Sequence, residues 1–228
     1  MCKDVILRNE VIIVNNEKTL IYLVRHGESV GNLNRICLGH TDLDITDLGY
    51  KQAFKTALAL REIDFDAIYS SDLIRAIHTA QPHAELHRLD VIPMQDFREL
   101  YFGDWENCSV DYLTEVYKED FTVAWRQVFG TFTPPRGESV VEMAERMAKG
   151  IKKIANMHPG KNLLVVSHAA AIRAFWGKIL GLEADAWASN PFPSNASYSI
   201  VSVCDGVITP CEYSVDNHLG DIATNIKH

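Results

Sequence analysis

The sequence predicts an α/β fold, a three-layer sandwich in which a mostly parallel central sheet carries helices on both faces. Three apolar runs of strand length recur along the 228-residue chain, at 19–25, 66–70 and 162–167. Stretches with helical patterns lie between these runs. Strands that alternate with helices are typical of a parallel sheet that is covered on both sides.

The strands follow from residue type. A run rich in β-branched residues at 5–14, interrupted at Asn9–Glu10, predicts a strand or hairpin ahead of the main fold. The three apolar runs named above are nearly continuous, as expected of strands buried on both sides. Near the C-terminus, 197–204 and 207–214 flank Asp205–Gly206, a dipeptide that favours a tight hairpin turn. This hairpin should add antiparallel strands at one edge of the sheet.

Capping and breaking residues predict four helices. Ser139 and Glu142 have the spacing of a capping box, in which the hydroxyl and the carboxylate each satisfy a free backbone amide. Thr46 can act as an N-cap, Pro82 loosely marks a helix end, and Gly181 is typical of the residue that follows a helix. The four predicted helices cover about 46–62, 73–84, 139–157 and 169–180.

The whole chain, 1–228, is expected to form a single domain, because its length is ordinary for one α/β unit. The segment from about Phe97 to Pro135 departs from the alternation of strands and helices and is rich in aromatic residues. We interpret it as an insertion that faces the substrate. Its aromatic content predicts a leaving group with apolar or ring character.

Composition narrows the choice of partners and compartment. The chain carries 30 acidic and 22 basic residues, a formal net charge of -8, which disfavours nucleic acid and anionic membranes as partners. The five cysteines form no CxxC pair, so we expect neither a disulfide framework nor a zinc ribbon. Charges interrupt the N-terminal apolar run, and no apolar stretch approaches membrane-spanning length. A cytoplasmic protein is expected, and the sequence carries no signal of its oligomeric state.

Basic side chains follow all three predicted parallel strands. Arg25 and His26 end the first, Arg75 follows the second within a few residues, and His168 ends the third. Any one of these residues alone would be read as an ordinary solvated side chain. Because clustered cations in an acidic protein are costly unless an anion sits among them, the three coincidences together predict an anion-binding site at one edge of the sheet.

The residues around these positions form a series of motifs. The most specific is LVRHGES at 23–29, followed by Asn32. The series continues with GHTDLDIT at 39–46, SSDLIRA at 70–76, REL at 98–100, FGDWE at 102–106, GES at 137–139 and VVSH at 165–168. Over about 19–203 this order of motifs resembles the histidine phosphatase superfamily, the phosphoglycerate mutase-like enzymes, and it implies their version of the predicted fold.

The resemblance implies a role for each catalytic residue. His26 is the expected nucleophile, a neutral imidazole whose other ring nitrogen bonds to a backbone carbonyl and which forms a transient phosphohistidine. Arg25, Arg75 and His168 are expected to hold the non-bridging oxygens, since their negative charge makes a phosphate ester resist attack. Glu99 matches the general acid that protonates the leaving alkoxide and then activates water.

Substrate contacts are expected from Gly27, Ser29, Asn32 and Thr41, with Gly27 allowing close approach of the backbone to the phosphate. No metal or cofactor is expected, because the two arginines and His168 supply the charge neutralisation. Four other histidines offer no convincing ligand set and are predicted to be solvent-facing. The residues in question are His40, His78, His83 and His87.

Three functions remain open. Mutases with this resemblance commonly have an adjacent pair of arginines in the inserted segment, whereas Arg126 here is flanked by Trp125 and Gln127. The phosphatase branch, including the α-ribazole phosphatases and broad-specificity phosphatases, is therefore favoured, and it implies metal-independent hydrolysis of small phosphate monoesters. The alternative is phosphoglycerate mutase-type transfer, with Arg126 and Arg136 near a second anion. The third is a non-catalytic protein of the same fold that binds a phosphorylated ligand.

Overall fold

A mixed sheet lies at the centre of the molecule. The computed structural model describes residues 4–7, 10–13, 17–117 and 129–224. The strands are β1 (Asp4–Leu7), β2 (Glu10–Ile13), β3 (Thr19–Arg25), β4 (Ala67–Ser70), β5 (Val91–Pro93), β6 (Asn162–Ser167), β7 (Tyr198–Cys204) and β8 (Val207–Val215). The helices are α1 (Val30–Leu33), α2 (Asp47–Ala59), α3 (Ile74–His87), α4 (Val110–Val116), α5 (Val140–Met157) and α6 (Ala169–Ile179).

The strand order explains why the catalytic candidates meet. The six-stranded sheet has the order β5-β4-β6-β3-β7-β8. Strands β5, β4, β6 and β3 run parallel, and β7 and β8 are antiparallel additions at one side. The predicted mostly parallel sheet and C-terminal hairpin are confirmed. Parallel strands end at the same edge of a sheet, so the residues that follow β3, β4, β5 and β6 are brought together.

Helices cover both faces of the sheet, which confirms the three layers. On one face, Met143, Met147 and Ile151 of α5 and residues of α6 pack with Leu23 and Val165. On the other face, Ala76, Ala80 and Ala84 of α3 pack with Val24 and Val166, and α2 lies against α3. Alternate residues of β3 and β6 thus enter different clusters, so both strands are buried on both sides as predicted.

The predicted capping residues start their helices. The hydroxyl of Thr46 accepts the amide of Gly49 at 3.1 Å at the start of α2. At the start of α5, Ser139 accepts the amide of Glu142 while the Glu142 carboxylate accepts the amide of Ser139. These bonds satisfy amides that otherwise lack partners in the first turn of a helix.

Helix α3 and strand β5 differ from the prediction. The helix continues through Pro82 to His87. Pro82 removes one backbone donor, but the alanine face of α3 remains packed on the sheet and keeps the helix intact. His83 is on this inner side and is fully buried, so its predicted exposure was wrong. Strand β5 was not predicted, because three residues ending in a proline carry no readable periodicity.

The N-terminal segment contains the predicted hairpin, with β1 and β2 paired antiparallel. Within the residues that the structure covers, no helix combines the length and apolarity needed to cross a membrane.

Candidate active site

Two histidines face each other at the carboxyl edge of the sheet. His26 follows β3 and His168 follows β6, the parallel neighbour of β3. The backbone amide of His26 donates to the carbonyl of Ser167 at 3.0 Å, and this bond continues the ladder beyond the ends of the strands. The imidazole ring centroids are 5.2 Å apart. The sheet register therefore sets the spacing between the two rings.

The imidazole of His26 is held in the neutral form suited to a nucleophile. Its Nδ1 lies 2.7 Å from the carbonyl oxygen of Gly27, the backbone carbonyl contact that the sequence predicted. A proton on Nδ1 that is donated to this carbonyl leaves the lone pair on Nε2. Burial lowers the pKa of His26 well below its usual value, and the charges of Arg75 and Arg25 lower it further. The ring is therefore uncharged at neutral pH.

Two buried guanidinium groups stand beside the histidines. Arg25 donates to the carbonyl of Pro193 at 2.6 Å, and Arg75 donates to the carbonyls of Gly39 at 2.6 Å and Thr41 at 3.0 Å. Burial lowers the pKa of each arginine to about 10, which still leaves both charged at neutral pH. Among the described residues neither forms an ion pair with a carboxylate. Buried cations of this kind are stabilised when an anion binds between them.

His168 lies close to His26 and Arg75. It is fully buried, and within the described part of the chain neither of its ring nitrogens has a hydrogen-bond partner. Burial lowers its pKa well below the usual value, with smaller effects from Arg75 and His26. Arg25 likewise has its Nε and Nη2 atoms without a partner in the described structure. These unsatisfied groups, on residues from β3 and from the end of β6, match the oxygens of a phosphate group.

The carboxyl group of Glu99 lies on the other side of the site, at the start of α6. Its oxygens accept the backbone amides of Leu100 at 2.9 Å, Ala170 at 3.1 Å and Ala171 at 3.1 Å. Burial raises the pKa of Glu99 above its usual value, although these bonds and the charge of Arg75 act in the opposite direction. A raised pKa is what a carboxyl group needs to donate a proton near neutral pH.

Two residues that the sequence analysis did not single out hold this machinery in place. Arg146 of α5 binds Glu138 with two nitrogens, at 2.9 and 2.8 Å. The same guanidinium donates to backbone carbonyls at 95, 96, 98 and 99, at 2.9 to 3.3 Å. Glu106 accepts the amides of His40 and Thr41, which lie on the loop that presents carbonyls to Arg75. Glu138 lies in the GES motif and Glu106 in the FGDWE motif, and these motifs are the sequence signal that could have identified them. Arg146 lies in neither motif.

A cavity of about 370 Å³ opens next to His26 and Glu99. Its described lining combines charged side chains, among them Arg25, Arg35 and Arg75, with a set of apolar residues. The apolar residues there are Leu33, Ile36, Cys37, Leu38, Phe102 and Val110. The cavity thus offers both cationic groups that can bind a phosphate and apolar surface that can contact a leaving group.

The predicted substrate-binding residues occupy different positions around the cavity. Ser29 and Asn32 line it, but they also cap α1, since each accepts the backbone amide of the other. Gly27 and Thr41 are not among its described lining residues. A Cβ on Gly27 would lie 2.5 Å from the carbonyl oxygen of Gly49, so glycine is needed here for packing against α2. Thr41 donates from its amide and hydroxyl to Glu106. A direct contact with substrate stays a prediction for Gly27 and for Thr41.

The aromatic residues of the 97–135 segment serve mainly as core. Phe97, Trp105 and Phe129 are buried in the cluster around α5 and α6, and only Phe102 of the segment's described aromatic residues lines the cavity. Arg136 is exposed, forms an ion pair with Asp104 and is not among the described lining residues. Trp125 and Arg126 lie outside the described residues. His40 is part-buried, with its Nε2 3.0 Å from the carbonyl of Glu99, rather than fully solvated.

Comparison with known proteins identifies the family. A model of the histidine phosphatase superfamily (branch 1) matches residues 21–213. The chain belongs to this superfamily. The Bacillus subtilis protein named uncharacterized phosphatase PhoE is 29% identical to this histidine phosphatase over 201 residues, which cover 88% of this chain and 97% of the relative. A probable phosphoglycerate mutase GpmB from Escherichia fergusonii is 35% identical over 172 residues, 74% of this chain and 77% of that protein.

The solved structure of Bacillus stearothermophilus YhfR superposes on this histidine phosphatase with a TM-score of 0.83. The two sequences are 25% identical, and the match covers 88% of this chain and 99% of that chain. The predicted phosphoglycerate mutase-like fold is thereby confirmed. The protein is an enzyme that hydrolyses phosphate monoesters by the phosphohistidine route general to its superfamily.

Within the described residues no group of three or more His, Cys, Asp or Glu side chains is placed to hold a metal ion.

The bonds from Arg146 to the loop that carries Glu99 lead to a testable expectation. In Arg146→Lys the charge remains, but an ammonium group cannot span Glu138 and the carbonyls at 95–99. We expect kcat to fall about tenfold, because small displacements of a catalytic group are costly. Steady-state hydrolysis of p-nitrophenyl phosphate measures the effect. Lys149→Arg, on the exposed side of the same helix, is the matched control. Equal activity of the two variants would show that Arg146 does not position Glu99.

Proposed function

We propose that His26 is the nucleophile of this phosphatase and that its substrates are small phosphate monoesters whose leaving group has an apolar or ring-like face. The observation that carries the proposal is the juxtaposition of a neutral His26 with two buried arginines and a buried carboxyl group at one cavity. Arg25, Arg75 and His168 neutralise the charge of the phosphoryl oxygens. These side chains supply the charge neutralisation that attack by the lone pair on Nε2 requires.

In the first half-reaction the Nε2 atom of His26 forms a bond to phosphorus while the bond from phosphorus to the ester oxygen breaks. The leaving oxygen takes a proton from Glu99, whose raised pKa keeps part of it protonated. In the second half-reaction Glu99 accepts a proton from water as the water oxygen bonds to phosphorus. The bond between nitrogen and phosphorus breaks, and inorganic phosphate and neutral His26 are released.

Mutase-type transfer needs a binding site for a second anionic group. Besides Arg25 and Arg75, the arginine among the described lining residues is Arg35, which lies in an ion pair with Asp111 at 3.1 Å. The similarity to GpmB supports the mutase alternative. The apolar lining residues, among them Leu33 and Val110, instead favour hydrolysis of a less charged ester. Water is then the acceptor of the phosphoryl group.

Substrate preference tests the proposal. We expect p-nitrophenyl phosphate to be hydrolysed with a higher kcat/KM than 3-phosphoglycerate, because the carboxylate of the latter would be desolvated against an apolar wall. Phosphate release in the presence of a chelator measures both reactions. A parallel assay with 3-phosphoglycerate and 2,3-bisphosphoglycerate reports isomerisation. The reverse order of kcat/KM, or isomerisation without phosphate release, would contradict the proposal.

A further inference from the structure

The C-terminal segment reaches the active-site cavity although it follows the part of the chain that matches the superfamily. The family match ends at residue 213, whereas Thr224 lines the cavity together with Asn195. The segment is anchored by the fully buried Leu219 and by a bond from Lys55 to the carbonyl of Leu219 at 2.9 Å. Thr224 is therefore held at the cavity by packing and by hydrogen bonds.

Thr224 belongs to a series of hydrogen bonds that starts at the amide of Glu28 and ends at the carbonyl of His26. The backbone between these two residues closes the series into a ring. The amide of Glu28 donates to Gln52 Oε1 at 2.8 Å, and Gln52 Nε2 donates to the Thr224 hydroxyl at 2.8 Å. The Thr224 hydroxyl donates to Asn195 Oδ1 at 3.3 Å. Asn195 Nδ2 donates to the carbonyl oxygen of His26 at 3.2 Å. Every donor in the ring points in the same sense, an arrangement in which successive bonds strengthen one another.

The two amide side chains of the ring are buried, and their orientations are determined by their surroundings. Gln52 is 0% exposed and Asn195 is 2% exposed. A backbone amide must meet an acceptor, so Glu28 fixes the oxygen of Gln52, and the carbonyl of His26 fixes the nitrogen of Asn195. The hydroxyl of Thr224 accepts and donates through a single oxygen atom. It joins two amide side chains that point their nitrogens in the same direction around the ring.

We propose that Thr224 is a positioning residue for phosphoryl transfer, which holds Asn195 and Gln52 so that the backbone of His26 presents its imidazole in line with the phosphate. The residue acts through the backbone between the carbonyl of His26 and the amide of Glu28 and does not contact the reacting atoms. Its effect should therefore appear in the chemical steps. Arg75, which binds the phosphoryl oxygens, is not a member of the ring.

The test compares Thr224→Val, which keeps the shape and removes the hydroxyl, with Thr224→Ser, which keeps the hydroxyl. We expect Thr224→Val to lower kcat for p-nitrophenyl phosphate about tenfold with KM and inhibition by inorganic phosphate changed less than about twofold. Thr224→Ser should retain kcat within about twofold of the wild type. Thr209→Val, the same replacement on the exposed face of β8, is the matched control and should behave as the wild type.

A second variant keeps the test independent of any single substitution. Gln52→Met interrupts the same ring, so the double variant with Thr224→Val should lose little more than Gln52→Met alone. Equal kcat in Thr224→Val and Thr209→Val, an equal loss in Thr224→Ser, or an effect confined to KM would overturn the inference. The inference rests on the proposed role of His26. A wild type that forms no phosphoenzyme on His26 contradicts that role, whereas an active wild type with an unaffected Thr224→Val contradicts the inference alone.

Discussion

Replacing His26 with alanine is expected to lower kcat for p-nitrophenyl phosphate by roughly 10⁴-fold or more, the scale of loss when a covalent nucleophile is removed. The anion should still bind, since Arg25 and Arg75 are held by backbone carbonyls that the substitution leaves in place. Intact-mass measurement of samples quenched in acid-free medium during turnover should show a phosphoryl group on the wild type and none on the variant.

His78→Ala provides the matched control for His26→Ala. His78 is a partly exposed histidine that pairs with Asp44 at 2.8 Å and is not among the described cavity residues. Wild-type turnover in this control would show that loss of an imidazole as such is harmless. A His26→Ala variant that still forms a phosphoenzyme would remove His26 from the mechanism and require another nucleophile.

Glu99→Gln is expected to separate the two half-reactions. A p-nitrophenolate leaving group needs no proton, so kcat/KM for p-nitrophenyl phosphate should change little. For an alkyl phosphate kcat/KM should fall about 10² to 10³-fold, because the alkoxide does need one. With either substrate the second step lacks its base. With the aryl ester, whose first step is not slowed, the phosphoenzyme should therefore accumulate and kcat should fall.

The pH dependence gives the same test a second readout. Since burial raises the pKa of Glu99, its protonated form extends toward neutral pH. For the wild type, kcat/KM with an alkyl phosphate should fall as pH rises through that pKa, because the acid is lost. This limb should be missing in Glu99→Gln and present in Glu145→Gln, an exposed glutamate of α5. Equal losses with alkyl and aryl esters would contradict the general-acid role.

The convergence of the catalytic candidates could be predicted because it depends on topology. Arg25 ends β3, His26 follows it and His168 follows β6; both strands have a clear apolar pattern, and parallel strands end at one edge. Glu99 could be placed only through its motif, because the strand that precedes it, β5, is three residues long. The physical reason for its position became visible with the parallel pairing of β5 to β4.

The supporting contacts were beyond sequence reasoning. Arg146 has the helical spacing of an ordinary surface residue, and its bonds to the 95–99 loop depend on how α5 packs against that loop. The aromatic residues near 97–135 were interpreted as substrate-facing, but Phe97 and Phe129 are core residues. Aromatic composition identifies burial, whereas the direction of a side chain is decided by the local turn of the backbone. Thr224 lies after the last motif and carried no signal at all.

The position of β3 in the sheet has a consequence for how the enzyme is made. Its neighbours are β6 and β7, which both come much later in the chain. While the polypeptide is being synthesised, β3, the strand that His26 follows, has no partner until α5 has emerged and β6 follows. Its apolar residues Ile21, Leu23 and Val24 stay unprotected during that interval, when they can associate with other chains. Pairing between strands that are distant in sequence is slow. We therefore expect activity to appear only after β6 and β7 have paired with β3 and the sheet is complete.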